Sequence, residues 1–525
     1  MANPKSKTAI ILSMVLVLVL VISACSSNTV NKNADEPKKT EPGIAQTSGK
    51  LLDAPLTIKV LYGEINTKSP VFDAVFEKTN VRLDFELAPA NLDQRLQTIF
   101  ATNTLPDIMK VANGNQLFAS AAKDGLLLNI SDYMQYAPNL AKLIKDNPAI
   151  NNNKVDGKFY SFPQLGNWRL QLAGAPMIRV DLIEKLGMPM PKTFDDLYKV
   201  LKKFKEAYPD SIPYTGRENA KKLLNEISFA MGSGNRMYYD PAIKGGSWSY
   251  GQAHPEFKPV LEFLNKLYNE KLLDPDYAVN TGDQMKEKLA SGKALFYWDN
   301  NSFGVNFNQA LKAVNPNAKF DLLPPLQYGQ AKPRASMYVK DWLHHYVISA
   351  KVKDPEKVVK FMDWMYSPEG TRLLNYGIEG VHYTVVNGQP MMKEDIVKKY
   401  ADTKDPYRFM QKDIAVGFEA FDPNVDEHPM AQVSHPDLIR WASQMTEANG
   451  YVQVRSVPPF TKEESEKLKK LTVKVDTLVD QEMDKFIIGV RPLSDYDKFM
   501  KSMADNGVAE IEKIYNDAYI RANTP

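Results

Sequence analysis

Cysteine is all but missing: Cys25 is the only one in 525 residues. That excludes a disulfide framework, although a chain of this size in an oxidising compartment could have used one. Net charge is missing too. Lys and Arg number 65 against 63 Asp and Glu, and the first 24 residues carry two of the lysines and no acid, so the remainder is formally neutral. Such a balance gives no electrostatic reason to expect nucleic acid or an anionic membrane surface as partner. No internal repeat is visible. Catalytic signatures are also absent: no GxGxxG in strand context, no phosphate-binding GxxxxGK, no HExxH and no GxSxG. A pair of acids for glycoside cleavage is always available among 63, and nothing singles one out.

What is present begins at the amino terminus. Lys5 and Lys7 precede an apolar run from Ile10 to Ser23, too short for a comfortable membrane span and ended by small residues, as in a cleaved signal peptide (1–24). The site Ile22-Ser23-Ala24-Cys25 resembles the lipobox of bacterial lipoproteins, in which the thiol is acylated and becomes the first residue. Residues 25–50 are rich in Ser, Asn, Lys, Pro and Gly and read as a flexible tether. No later apolar stretch reaches bilayer length. About 500 residues are too many for one core, so two lobes are expected.

Leu56–Leu61, Val81–Leu87 and Asp107–Val111 read as strands, with helical spacing at Val71–Thr79 and Leu92–Thr102 between them. This alternation predicts a parallel sheet with crossover helices, whose ligands sit at the carboxyl ends of the strands, at Gly63–Ser69 and Ala112–Gln116. Further helices are predicted at Ala137–Asp146, Arg179–Leu186, Lys192–Tyr208 (with Thr193 and Asp196 as a capping box), Glu256–Glu270, Gln284–Ser291, Asp354–Tyr366, Lys462–Phe486 and Ser494–Ala518. Lys293–Trp298 and Tyr346–Ser349 are predicted strands. His344-His345 would point to opposite faces of a strand and could not easily share a metal.

The segments FEKTNVRLDFEL, TIFATNTLPDIMKV, GLLLNISDYMQYAPNLAKLIKDNP, IRVDLIEKLGMPMPKTFDDLYKVLKKFK, ASGKALFYW and DPEKVVKFMDWMYSPEGTRLLNYGIEG, in this order, resemble the family 1 extracellular solute-binding proteins, in the large branch that includes alginate-binding proteins. The resemblance implies an α/β chain of two periplasmic-binding-protein-like lobes with a cleft between them. Lobe 1 would be 51–165 with a return at 345–375, and lobe 2 would be 166–344 with a return at 376–525. Crossings would fall near Phe162–Gln171, Met337–Val347 and Trp364–Gly377. The implied role is that of a monomeric lipoprotein on the extracellular face of the cell membrane, handing an oligosaccharide to ABC permease subunits without catalysis or cofactor. A peptide-type ligand, or a tethered polysaccharide-degrading enzyme, remains the alternative. Members often carry a calcium loop where this chain reads YPDSIPYTG, so no metal is expected there; DPNVDE at 422–427 reads as a polar turn.

Sugar capture calls for aromatic faces beside bidentate polar side chains. Asn113, Asn115 and Gln116 follow the third strand, where the family places polar sugar contacts, although Asn-Gly-Asn also makes a plain turn. Trp298, with Asp299 and Asn300, ends KALFYW, where relatives put an aromatic under a sugar ring; core packing is the other reading. Trp168 and Arg169 lie in the first crossing. Trp248 and Tyr250 on a Gly-rich loop, Glu379 and His382 after the third crossing, and Asn66 with Glu64 complete the candidates.

Overall fold

The structure, a computed structural model, describes residues 49–523 apart from 90–91, 113–115, 166–173, 241–245, 314, 338–341, 404, 417–425, 449–450, 454–456 and 459. Cys25, nearly all of the expected tether and residues 422–425 of DPNVDE lie outside the described residues. Two mixed sheets are built from β1 (Leu56–Tyr62), β2 (Val81–Leu87), β3 (Ile108–Ala112), β4 (Ser161–Leu165), β5 (Ala175–Arg179), β6 (Ile212–Thr215), β7 (Ala294–Asp299), β8 (Phe320–Leu322) and β9 (Trp342–Ile348). The first runs β2-β1-β3-β9-β4 and the second β8-β5-β7-β6. In the first, β1 pairs in parallel with β2 and β3, while β9 is antiparallel to both β3 and β4. In the second, β7 is parallel to β6 and antiparallel to β5, and β8 is antiparallel to β5.

Both sheets have packed side chains on both faces. All six residues of β7 are buried. Its alternate side chains divide between two clusters: Phe296 and Trp298 pack with Phe194, Leu197 and Leu261, and Tyr297 with Met177, Phe307 and Trp441. The first sheet divides likewise, with Ile58, Ile108 and Tyr346 on one side and Leu61, Met109 and Val347 on the other.

The helices start where their sequences provide caps. Thr193 and Asp196 form the expected capping box of Phe194–Ala207, and Thr281/Gln284 and Thr461/Glu464 do the same for Gly282–Ala290 and Lys462–Ile487. Pro138–Asp146 follows Ala137, which cannot cap. Its free amides are met from another helix instead: Asp363 accepts Leu140 N–H at 2.8 Å and Asn139 N–H at 3.2 Å. In the turn at 208–212, the Ser211 hydroxyl donates to the Tyr208 carbonyl and the Lys205 ammonium to the Ser211 carbonyl.

Two expectations are corrected. Ser494–Ala518 is not one helix but Tyr496–Asp505 and Val508–Asn523, separated at Gly507, whose φ of +91° no helix can contain. The chain also does not leave the first core near Trp364–Gly377. Trp364, Leu373, Leu374 and Tyr376 pack there, and so do Tyr383, Met392, Tyr400, Met410, Ile414 and Val433. Only at Leu438 and Trp441 does it join a core of the second sheet. The passage therefore falls at 434–437, and the stretch expected to return to lobe 2 from 376 belongs, up to Val433, with the first sheet.

Candidate functional site

Strand direction brings the carboxyl ends of β1, β3 and β4 and the amino end of β9 to one edge of the first sheet. By the same reasoning, the carboxyl ends of β6, β7 and β8 and the amino end of β5 share one edge of the second. The chain ties these edges together. β4 runs into β5 through 166–174, and Met337, on the short parallel ribbon with Tyr451–Gln453, precedes β9 by five residues. Five residues span at most about 18 Å. Arg334 anchors the start of that link, donating to the carbonyls of Phe229 (2.6 Å) and Ser233 (3.1 Å) and pairing with buried Asp240. The link 166–174 thus joins the two edges, and such edges are where open α/β sheets bind ligands.

At the second edge, β7 ends in Asp299, 3 % exposed. Arg217, just beyond β6, holds it through Nε to Oδ2 at 2.7 Å and Nη2 to Oδ1 at 3.2 Å. This bond to Asp299 is the chief reason the Arg217 guanidinium is raised above its ordinary pKa. Arg217 also pairs with Glu218 and lies 5.7 Å from the ring centre of Phe303. Asn300 turns the chain into the next helix: its N–H donates to Asp299, and its Oδ1 accepts the Ser302 N–H at 2.9 Å. Arg217 was not anticipated from the sequence, because its partner lies 82 positions away.

At the first edge, Asn66 donates its amide to the Asp413 carbonyl at 2.8 Å, and its Oδ1 accepts the Lys68 N–H at 3.1 Å. Glu64 pairs with Lys412, and the Ser69 hydroxyl donates to the Ile414 carbonyl at 2.6 Å. Asn66 therefore ties down the loop after β1. Lys110 sits in β3 opposite Tyr346; burial of its ammonium pushes its pKa down to about 7. Asn113, Asn115, Trp168 and Arg169 lie outside the described residues, and Gln116 opens the helix Gln116–Lys123 beside the same edge.

The remaining candidates do not gather there. Trp248 is packed between Tyr239 and Tyr515, and Tyr250 gives its hydroxyl to Asp476. Both residues lie not on a loop but in the ribbon Met237–Asp240/Ser247–Tyr250, buried against the carboxyl-terminal helices. His382 is buried, its Nδ1 accepting the Ile378 N–H at 3.0 Å, while Glu379 is exposed in the turn before it. Trp298 reaches the second edge but is 6 % exposed, stacked on Phe194 at 6.4 Å, with its indole N–H donating to the Gly174 carbonyl. No cluster of His, Cys, Asp and Glu able to hold a metal is found among the described residues.

Known proteins share this arrangement. The profile of the bacterial extracellular solute-binding proteins matches residues 64–372. The polygalacturonan/rhamnogalacturonan-binding protein YtcQ of Bacillus subtilis (strain 168) is 26 % identical over 488 residues, 88 % of this chain and 90 % of its own. The fructooligosaccharide ABC transporter substrate-binding protein FusA of Streptococcus pneumoniae is 25 % identical over 409 residues, 71 % of each chain. Among solved structures, the alginate-binding protein AlgQ2 without calcium ion superposes with a TM-score of 0.72 at 21 % identity, over 90 % of this chain and 99 % of that one. FusA in complex with kestose gives 0.69 at 19 % identity, over 89 % and 100 %. These likenesses fit the two sheets, and with the profile match they decide the assignment: the chain belongs to the bacterial extracellular solute-binding proteins.

Proposed function

We propose that this protein captures an oligosaccharide or a polysaccharide fragment between the two strand edges and delivers it to the permease of an ABC importer. The observation that carries this reading is the polar pair at the second edge, where Arg217, steadied by the buried Asp299, and Asn300 stand at strand ends, with the Phe303 ring 5.7 Å from the guanidinium. Hydroxyl groups both donate and accept, so they match a guanidinium and a carboxamide, and an aromatic face suits the apolar side of a sugar ring. The relatives named above as binding polygalacturonan and fructooligosaccharide support a saccharide over a peptide. Capture requires no bond to be broken, and the site is read as one of binding alone.

The protein acts as a monomer held at the extracellular face of the membrane by a lipid on Cys25, with the segment to residue 50 as its tether. No helix among the described residues is long and apolar enough to cross a membrane. Two measurements test the proposal. In a thermal-shift and calorimetric panel of oligogalacturonides, kestose, raffinose and short peptides, a saccharide should stabilise the protein, by about 2.7 kcal/mol at a hundredfold excess over Kd; stabilisation by peptides alone would overturn the ligand class. Cys25→Ser should move the protein from the membrane fraction into the medium, and its retention on the membrane would overturn the anchor.

A further inference from the structure

Gln164 is the penultimate residue of β4, one position before the chain leaves the first sheet's edge. It is 6 % exposed, and its Oε1 is buried with no hydrogen-bond partner. Tyr346 of β9 stands opposite Lys110 on one side and Phe162 on the other, and His344 stands opposite Ala112 and Gln164. Gln164 is therefore two residues nearer the edge than the row Lys110–Tyr346–Phe162, on the same face.

Its neighbour in the strand is differently treated: the Pro163 carbonyl accepts the Tyr366 hydroxyl at 2.5 Å. A buried polar group left without a partner destabilises a fold, and such groups are rare in folded proteins. Trp248 Nε1, also without a partner, lies on the ribbon packed under the carboxyl-terminal helices.

We propose that Gln164 contacts the ligand, its carboxamide taking a hydroxyl of a sugar ring bound at the edge of the first sheet. A hydroxyl satisfies the group whichever way the amide is turned, because it can both donate and accept. The inference rests on the saccharide reading above and adds a contact on the first sheet to the polar set on the second.

Gln164→Met and Gln164→Leu keep most of the volume and remove the polar end. In both, the melting temperature without ligand should be unchanged or higher, because the unpaired group is gone. Affinity for whichever of oligogalacturonides, kestose or raffinose the unaltered protein binds should fall about tenfold. Unaltered affinity in both variants, with the unsubstituted protein binding normally, would overturn the inference and leave the saccharide reading standing. So would a melting temperature several degrees lower in both, which marks a structural role. If the unsubstituted protein binds none of these saccharides, the saccharide reading fails first and this inference with it.

Discussion

Arg217 and Asp299 meet through two hydrogen bonds, Nε to Oδ2 at 2.7 Å and Nη2 to Oδ1 at 3.2 Å, across 82 residues of sequence. The fork fixes both side chains where β6 and β7 end together. It also leaves Asp299 dependent on one cation, since almost none of the carboxylate reaches water.

Removing that cation should be costly and removing both charges much less so. Arg217→Met strands a buried carboxylate, for which a loss of about 3–5 kcal/mol is typical. Adding Asp299→Asn to the same chain should recover most of it. Urea midpoints of the two single variants and the double variant give the coupling directly; additive losses would mean that the two groups act independently.

Trp298 separates packing from ligand contact. Its ring lies against Phe194 and Phe296, and its N–H is spent on the Gly174 carbonyl. Trp298→Ala should therefore destabilise the protein without ligand by about 3–5 kcal/mol. Trp298→Phe should keep most of that stability while losing the bond to Gly174. Denaturation curves decide it, and a Trp298→Ala variant as stable as the unaltered protein would return the residue to the cleft.

Such outcomes bear on how far the sequence could be read. The strands β1, β2 and β3 fall within one residue of expectation because period-two alternation and the turns that bound it are local properties. The capping box at Thr193 is equally local. The break at Gly507 was missed because a helical apolar period continues through it, from Phe499 and Met503 to Ile511. An amphipathic helix declares that it has a buried face but not which core receives it; Met410 and Leu438 look alike in sequence and pack against different sheets. For the same reason the strand-end residues Asp299 and Asn300 could be found. Arg217 and Gln164 could not, since a distant partner or the lack of one leaves no local trace.

Lys110 predicts a pH dependence of its own. Burial lowers its pKa to about 7, whereas in the unfolded chain a lysine titrates near 10.4. Between these values the unfolded chain binds more protons, so stability rises with pH. At pH 6 the folded protein must hold the ammonium charged inside the sheet. Lys110→Met should then raise the melting temperature at pH 6, and the gain should shrink as pH approaches 10. A gain that is constant from pH 6 to 10 would show that burial does not perturb this group.

His382 acts in the same direction at lower pH. Burial holds its pKa below the ordinary imidazole value of 6.5, with the Lys399 charge adding to the effect. The neutral ring accepts the Ile378 N–H through Nδ1, and protonation would remove that acceptor. A folded pKa below the unfolded one means that the contribution is complete above pH 6.5 and is lost as pH falls through the folded value. His435 is lowered likewise by burial, so both rings favour the fold at pH 7 over pH 5. His382→Asn retains an acceptor for Ile378 but cannot titrate. Its loss of stability between pH 7 and pH 5 should be smaller than that of the unaltered protein, measured as the change in urea midpoint. An equal loss in the two proteins would assign the acid sensitivity to other groups.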